Sequence, residues 1–560
     1  MSMALGVMTR RDHVSGQLVA QSPVHVGGMS DGMPDPDLPL VRDGRGYPFI
    51  PGTALAGALR AALLEKESDF DLWGGGEKSD NKEPTLTASR VVVRDAPIVG
   101  CAGVPVVGVV ENHVSIDRDT GTAAEGHLFT REHLSAGTRF GFDLVVETRT
   151  GDDTGEPQRV EKWLIKVLER LQGVGICVGG AVSTGMGRVS LDPQTVSWRQ
   201  DNFTSSDGLF AALKPSGNNL VVSANADSIP PDTLRVTIPW CPVGPLMSKY
   251  AAEGLMADAY PLTSVEDSRD HRVYRLLLPG SSVKGSLRSR AEYIGRTVTG
   301  ASVPERFGEQ MAAAECLPGL AALFGSTSKK GALSVYDTRT AVTIPGDMWE
   351  AIRECPKSLG SKEPTEKEKE TAQFASKVGC LNKRLAAGSA RLWFDYATRN
   401  SIDRWSGAVI QGHLFSSIEP YATVGAWEPI VLDVDLRQLR NNASVRAEDN
   451  SSWVKDENQF LASLALLFLV LRDLAEGWIP LGFGTTRGLG SVEIDASCVK
   501  LTWQGAEGDD WPEYLVLRSD MATLDDAWIS GRVAYLTEAW QTVIDQTPVH
   551  TSTEKGGQAA

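Results

Sequence analysis

The sequence predicts an α+β protein built from two consecutive homologous modules, each a sheet covered on one face by helices. Three observations predict it. Two long motifs are each written twice in the same order, two weaker echoes keep that order, and runs with strand period mix with runs of helical period in both copies.

Ile50–Arg60, IPGTALAGALR, returns as Leu278–Arg288, LPGSSVKGSLR, with Pro, Gly, a small hydroxyl, Gly, Leu and Arg at one spacing. Ile116–Phe129, IDRDTGTAAEGHLF, returns as Ile402–Phe415, IDRWSGAVIQGHLF. DLWG (71–74) before SRVVVRDA answers ALFG (322–325) before ALSVYDT. GGAVSTGMGRV (179–189) answers GFGTTRGLGSV (482–492), and each follows an amphipathic run, EKWLIKVLERLQ or LALLFLVLRDLAEG. Strand patterns are DHVSGQLVA, SRVVVRDA and TRFGFDLVVET in the first copy, and TLRVTIPW, ALSVYDT and PIVLDVDLR in the second. A split β-α-β unit fits this order.

The copies are placed at 10–195 and 234–500. Polar NFTSSDG, KPSGNN and SANADSIPPD mark 196–233 as a linker. The second copy is longer chiefly through SLGSKEPTEKEKETAQFASK (358–377), which by composition reads as a solvated excursion rather than core. Residues 501–560 form an acidic C-terminal extension with a helical pattern, LDDAWISGRVAYLTEAWQTVI, and a polar tail.

The chain has 560 residues, with 55 Lys+Arg against 71 Asp+Glu and a net charge of -16, which argues against nonspecific nucleic-acid binding. The charge is uneven. Residues 501–560 hold ten acids and three bases, whereas 271–300 hold six Lys/Arg and one Glu, so a basic surface can exist inside an acidic protein. The longest apolar run, Phe460–Leu471, is shorter than the roughly 18 residues of a membrane span and reads as a buried helix. The start, MSMALGVMTRRDHV, lacks the pattern of an export signal, so the expectation is a cytoplasmic protein without a membrane partner. Seven cysteines, scattered and never in C-x-x-C, suggest neither a disulfide framework nor a zinc site, and read as buried thiols.

In the repeated P-G motif a strand ends, a hydroxyl residue caps, and a helix begins. Thr53, and Ser281 or Ser282, would cap by accepting a backbone N–H, and the helix N-terminus would attract an anion. Arg60 and Arg288 close the motif; Lys284 and Arg288 lie four apart on one helical face, near Arg290, as charges a phosphate could use. An ordinary capped helix is the alternative. The glycine loops, with Gly185, Gly187 and Arg188 in one copy and Arg487, Gly488 and Gly490 in the other, can follow a nucleic-acid backbone through N–H donors, or can simply be sharp turns. They lack the Lys-Ser/Thr of a P-loop.

Before the first P-G turn lies a loop with Asp31, Asp35, Asp37 and Asp43; before the second, Asp258 precedes Pro261 much as Asp37 precedes Pro39. A carboxylate held near a phosphodiester can bind a divalent metal, although turn aspartates have the same composition. His25, His127 and His413 are candidate bases or structural histidines. No Ser-His-Asp, H-E-x-x-H or metal-cysteine signature appears.

Asp37-Leu-Pro-Leu-Val-Arg-Asp43, Gly46 through Arg60, Ile116-Asp117-Arg118 and the glycine loop together resemble the RAMP superfamily, and more narrowly the repeated backbone subunits of type III CRISPR effector complexes. The resemblance covers both copies. It implies ferredoxin-like, RNA-recognition-type modules with inserted thumb and lid elements, the thumbs at about 96–130 and 338–415. It implies partners in guide RNA, target RNA and other subunits, with the P-G helices and glycine loops gripping the RNA backbone. It also implies metal-dependent cleavage of target RNA at Asp37 and, by a looser match, Asp258, with magnesium or manganese as the cation. Two fused modules would fill two consecutive backbone positions. A non-catalytic scaffold of the same complex is the main alternative, and a guide-processing endonuclease a further one.

Overall fold

The computed structural model describes residues 7–29, 36–63, 72–77, 85–100, 108–149, 156–213, 232–250, 256–268, 271–355, 364–386, 390–446, 453–504, 523–525 and 534–546. The chain divides into two compact units, one of residues 1–113, 129–182 and 186–229, the other of 114–128, 183–185 and 230–560.

In the first unit the opening strand, Met8–Ala20, buries Asp12, Val14, Leu18 and Ala20, alternate positions that a pleated strand turns to one face. It pairs antiparallel with Arg139–Arg149 on one side and with Ser197–Asn202 and Arg188–Leu191 on the other. Val91–Val93 joins the far side of Arg139–Arg149. Helices Gly52–Leu63 and Glu156–Gln172 contribute Leu55 and Leu59, and Val160, Trp163, Leu164, Val167, Leu168 and Leu171, to the core at three- and four-residue spacing. The chain order is therefore strand, helix, strand, strand, helix, strand. A hairpin, Val109–Ile116 with Ala123–His133, interrupts the connection between the second and third strands.

The second unit repeats this order. Thr233–Ile238 lies between Ile430–Asp435 and Lys500–Gln504, and Leu333–Val335 joins the far side of Ile430–Asp435, all antiparallel. The helices are Gly280–Thr299 and Glu457–Ala475. Hairpin Leu392–Ile402 with Val409–Ala422 again precedes the third strand. Helix Glu457–Ala475 starts where the Asp456 carboxylate accepts the amides of Asn458 and Gln459. It is long and apolar enough to cross a membrane, but most of it is buried in this unit's core, in keeping with the short apolar run at its centre.

Three expected boundaries shift. Residues 197–202 are not linker: Trp198 is buried and its indole N–H donates to Asp12 at 3.0 Å, so the polar residues around it flank a strand of the sheet. The charged stretch, 358–377, is mostly exposed where its burial is described and buries Phe374 alone, but it continues into a core helix. Pro364–Leu385 is a helix whose Phe374, Val378, Leu381 and Leu385 form one buried stripe, which its lysines and glutamates obscure in the composition; residues 358–363 lie outside the described residues. The acidic extension also belongs to the second unit, since Lys500–Gln504 is a sheet strand and helix Ala534–Gln546 buries Leu536, Ala539, Trp540 and Val543.

The cysteines also depart from expectation. Of those described only Cys355 is buried, while Cys316, Cys380 and Cys498 are exposed. Cys380 lies off the buried stripe of its helix, and Cys316 and Cys498 stand at the ends of helical turns.

Candidate functional site

The same bonding pattern stands at the base of each hairpin. One oxygen of Asp37, Oδ2, accepts the Thr130 amide at 2.7 Å and the Thr130 hydroxyl at 2.9 Å. Oδ2 of Asp258 accepts the Ser416 amide at 2.7 Å and the Ser416 hydroxyl at 2.9 Å. The backbones match as well: Leu38 N donates to Thr130 O and Glu132 N to Leu38 O, as Ala259 N does to Ser416 O and Ile418 N to Ala259 O. Thr130 and Ser416 immediately follow the duplicated G-H-L-F. The three-residue spacing of Asp258 to its proline thus does not displace it from the position of Asp37. The Thr130 amide, then its hydroxyl, hold the Asp37 carboxyl below the usual carboxylate range. Among the described residues no other residue donates to Oδ1 of either aspartate, so each site offers one carboxylate oxygen.

Behind these oxygens the two sites differ. In the first unit His25, His113 and His133 gather at the base of the hairpin; burial lowers the imidazole pKa of all three, to about 4 for His113 and His133. His25 Nδ1 lies 2.6 Å from Glu132 O, and His113 stacks on Phe129 at 5.2 Å. Arg131 sits over Phe129 at 5.5 Å, half-buried. Counting from the matched backbone bonds and the I-D-R motif, Met247, Arg399 and Glu419 take the three histidine positions in the second unit. Arg399 forms a two-pronged ion pair with the buried Glu419 carboxylate, which raises the Arg399 pKa.

The second site opens into a cleft of about 240 Å³ whose lining includes Asp258, Lys249, Arg399, Phe415, Phe483 and Arg487. The Arg487 guanidinium lies 6.0 Å from the Phe415 ring centre and 5.9 Å from that of Phe483.

The P-G helices are capped differently from the expectation. Gly52 N donates to Asp95 Oδ1 at 2.7 Å, and Gly280 N to Asp337 Oδ1 at 2.9 Å. Thr53 is exposed, and helix Gly280–Thr299 has no side-chain cap from its own Pro279. The carboxylates of the duplicated D-A and D-T segments occupy the anion position that Thr53, Ser281 and Ser282 leave open. Glycine is required at both starts, because a Cβ would meet Val93 O or Val335 O at 2.2 Å.

Lys284 is buried and its ammonium donates to Leu333 O at 2.8 Å; burial lowers its pKa to about 7. Arg288 is held by Glu292 at 2.9 Å and Gly325 O at 3.1 Å, and Arg290 by Asp473 at 2.6 Å. These three cations brace the helix, whereas Arg60 is exposed. In the glycine loops, Gly187 N donates to Pro23 O and Gly490 N to Pro245 O, and both residues have positive φ with neighbouring carbonyls 2.1 Å from a Cβ. Gly185 and Gly488 also have positive φ. Arg188 lies within a strand, while Arg487 and Gly488 are exposed. Asp43 accepts the amides of Arg45 and Tyr47, as a turn aspartate does; Asp31 and Asp35 lie outside the described residues. His127 and His413 are exposed.

The I-D-R motif forms the hairpin tips. Asp117 accepts the amides of Asp119 and Thr120 at 2.9 Å, and Asp403 accepts the Trp405 amide at 3.0 Å and the Ser406 hydroxyl at 2.7 Å. The duplicated glycines, Gly121 and Gly407, close these turns with positive φ.

Fold and sites together define a tandem α+β protein with an aspartate clamped to the base of an inserted hairpin in each repeat. The sequence profile of the RAMP superfamily matches residues 17–190 and 263–493, and the chain belongs to that superfamily. It is also similar to the CRISPR system Cms endoribonuclease Csm3 of Methanocaldococcus jannaschii, at 26% identity over 201 residues, which cover 31% of this chain and 76% of that protein.

Proposed function

We propose that this chain is a double backbone subunit of a type III CRISPR ribonucleoprotein, filling two consecutive positions along the guide RNA and cleaving complementary target RNA at two spaced sites. The observation that carries this reading is the pair of matched clamps, Asp37 on Thr130 and Asp258 on Ser416, each presenting one carboxylate oxygen beside an inserted hairpin. The likeness to an endoribonuclease supports it. The strand order, with the fourth strand beside the first, then the third and second, supports reading each repeat as a ferredoxin-like module.

Guide pairing would supply sequence choice while the protein holds the backbone. The hairpin splays the target strand and sets a ribose 2′-hydroxyl in line with its adjacent phosphorus. The 2′-oxygen bonds to phosphorus as the bond to the 5′-oxygen breaks; the 2′-proton leaves, the 5′-oxygen gains a proton, and a 2′,3′-cyclic phosphate faces a 5′-hydroxyl. Asp37 and Asp258 orient this group, and positioning provides most of the rate. Among the described residues no three His, Cys, Asp or Glu side chains are placed so that they could hold a metal ion together. One carboxylate oxygen per site fits a magnesium or manganese ion that takes its other ligands from RNA phosphates and water. Such an ion, when bound, supplies charge neutralisation at the phosphate.

Non-catalytic support is favoured by one feature: the clamps also fix the hairpins, which a scaffold needs. Purification of the chain from cells carrying its neighbouring genes, followed by sequencing of bound RNA, tests the guide-holding role. RNA with one repeated end and variable guides is expected; random RNA or none contradicts it.

A further inference from the structure

The cleft beside Asp258 holds a feature that the duplicated motifs do not explain. Lys249 and Arg487 are both exposed, and neither meets a carboxylate among the described residues. The third cation of the cleft, Arg399, is neutralised by Glu419. With Asp258 at one wall, the cleft keeps a net positive charge. Its volume, about 240 Å³, is below the roughly 300 to 1,000 Å³ of pockets that enclose a whole small-molecule ligand.

By the matched backbone bonds, Lys249 stands where the first repeat has Gly27, and Arg487 where it has Thr184. The first repeat's cation at its phenylalanine is Arg131, which comes from the hairpin strand, and the equivalent of Arg131 is Ser417. Arg131 is half-buried, and burial lowers its pKa, whereas Arg487 is exposed. Arg487 instead reaches Phe415 from the glycine loop, and no carboxylate among the described residues fixes its fork.

We propose that Lys249 and Arg487 form a phosphodiester seat beside Asp258, with the exposed face of Phe415 beneath the adjoining nucleotide, and that the two sites therefore hold RNA through different cations. The ligand class is a single-stranded ribose-phosphate segment, gripped without reading its bases. This rests on the proposed RNA-guided reading for the identity of the strand, but not for the existence of the seat.

The test uses the full chain in its guide-loaded complex, with Lys249→Ala, Arg487→Ala and the double variant. The readouts are target-RNA affinity against salt and a map of cut positions. The salt slope of binding should fall by about 0.7 for each phosphate that the variant no longer neutralises. The one cut removed by Asp258→Ala should slow by about ten- to hundredfold in the double variant, and the other cut should keep its rate. Arg487→Lys, which keeps the charge and loses the fork, should fall between. An unchanged slope together with unchanged cuts overturns the seat. If the wild-type complex cuts nowhere, the cleavage reading fails, and the slope alone still decides whether Lys249 and Arg487 hold a phosphate.

Discussion

Ser416 gives both its amide and its hydroxyl to a single oxygen of Asp258, at 2.7 and 2.9 Å, so one residue fixes the carboxylate and leaves its second oxygen without a donor among the described residues. Ser416→Ala removes one of two bonds to a charged group, a loss of about 1.5 to 3 kcal/mol in the hold on the carboxylate. The expected result is a slower cut at that site alone, with Ser416→Thr restoring it, as Thr130 serves in the first repeat. Product mapping with the two variants checks this.

Asp95 and Asp337 cap the repeated helices from a neighbouring strand segment. Asp95→Ala should lower stability by about 0.5 to 2 kcal/mol, the usual cost of a lost N-cap. RNA affinity should be unchanged, because the amide it caps faces a carboxylate and not the solvent. Thermal unfolding and RNA titration of one variant separate the two effects.

Lys284 has a folded pKa of about 7 against an ordinary 10.5, so between those values the unfolded chain binds more protons than the folded one. Stability then rises with pH across that window and is lost as pH falls toward 7. Lys284→Met should flatten the dependence. Unfolding temperatures from pH 7 to 10 should rise less steeply for the variant than for the native chain; parallel curves would contradict the assignment.

His113 and His133 have folded pKa values of about 4 against an ordinary 6.5. The neutral forms are favoured in the folded state, so the stability they carry is present above about pH 6.5 and is lost as pH falls through 4. The second repeat has Arg399 and Glu419 at these positions. Hydrogen exchange should therefore show the base of the first hairpin opening on acidification from pH 6.5 to 4, before that of the second.

Much of this architecture was legible because it is written twice. The P-G helices and the helices before the glycine loops fall where the repeats place them; the hairpins, at 109–133 and 392–422, start later than the expected 96 and 338 and carry G-H-L-F inside their second strands. The matching positions of Asp37 and Asp258 were legible too, but not their clamps: a single hydroxyl after G-H-L-F, Thr130 or Ser416, carries little signal until the strand brings it across 93 or 158 residues. Lys284 and Arg288 misled in the other direction. Their helical spacing is that of a phosphate-binding face, yet the same face packs inward, and Glu292 and Leu333 O take up their charge. Lys249 left no trace in the motifs, since the first repeat has a glycine, Gly27, at its position.

The most direct test of cleavage at two clamped aspartates replaces Asp37 and Asp258 one at a time with alanine and maps the ends of target RNA cut by the assembled complex. Each variant is expected to lose one discrete cut and keep the other, with binding of the target retained. An identical set of cuts from both variants and the native chain would contradict it.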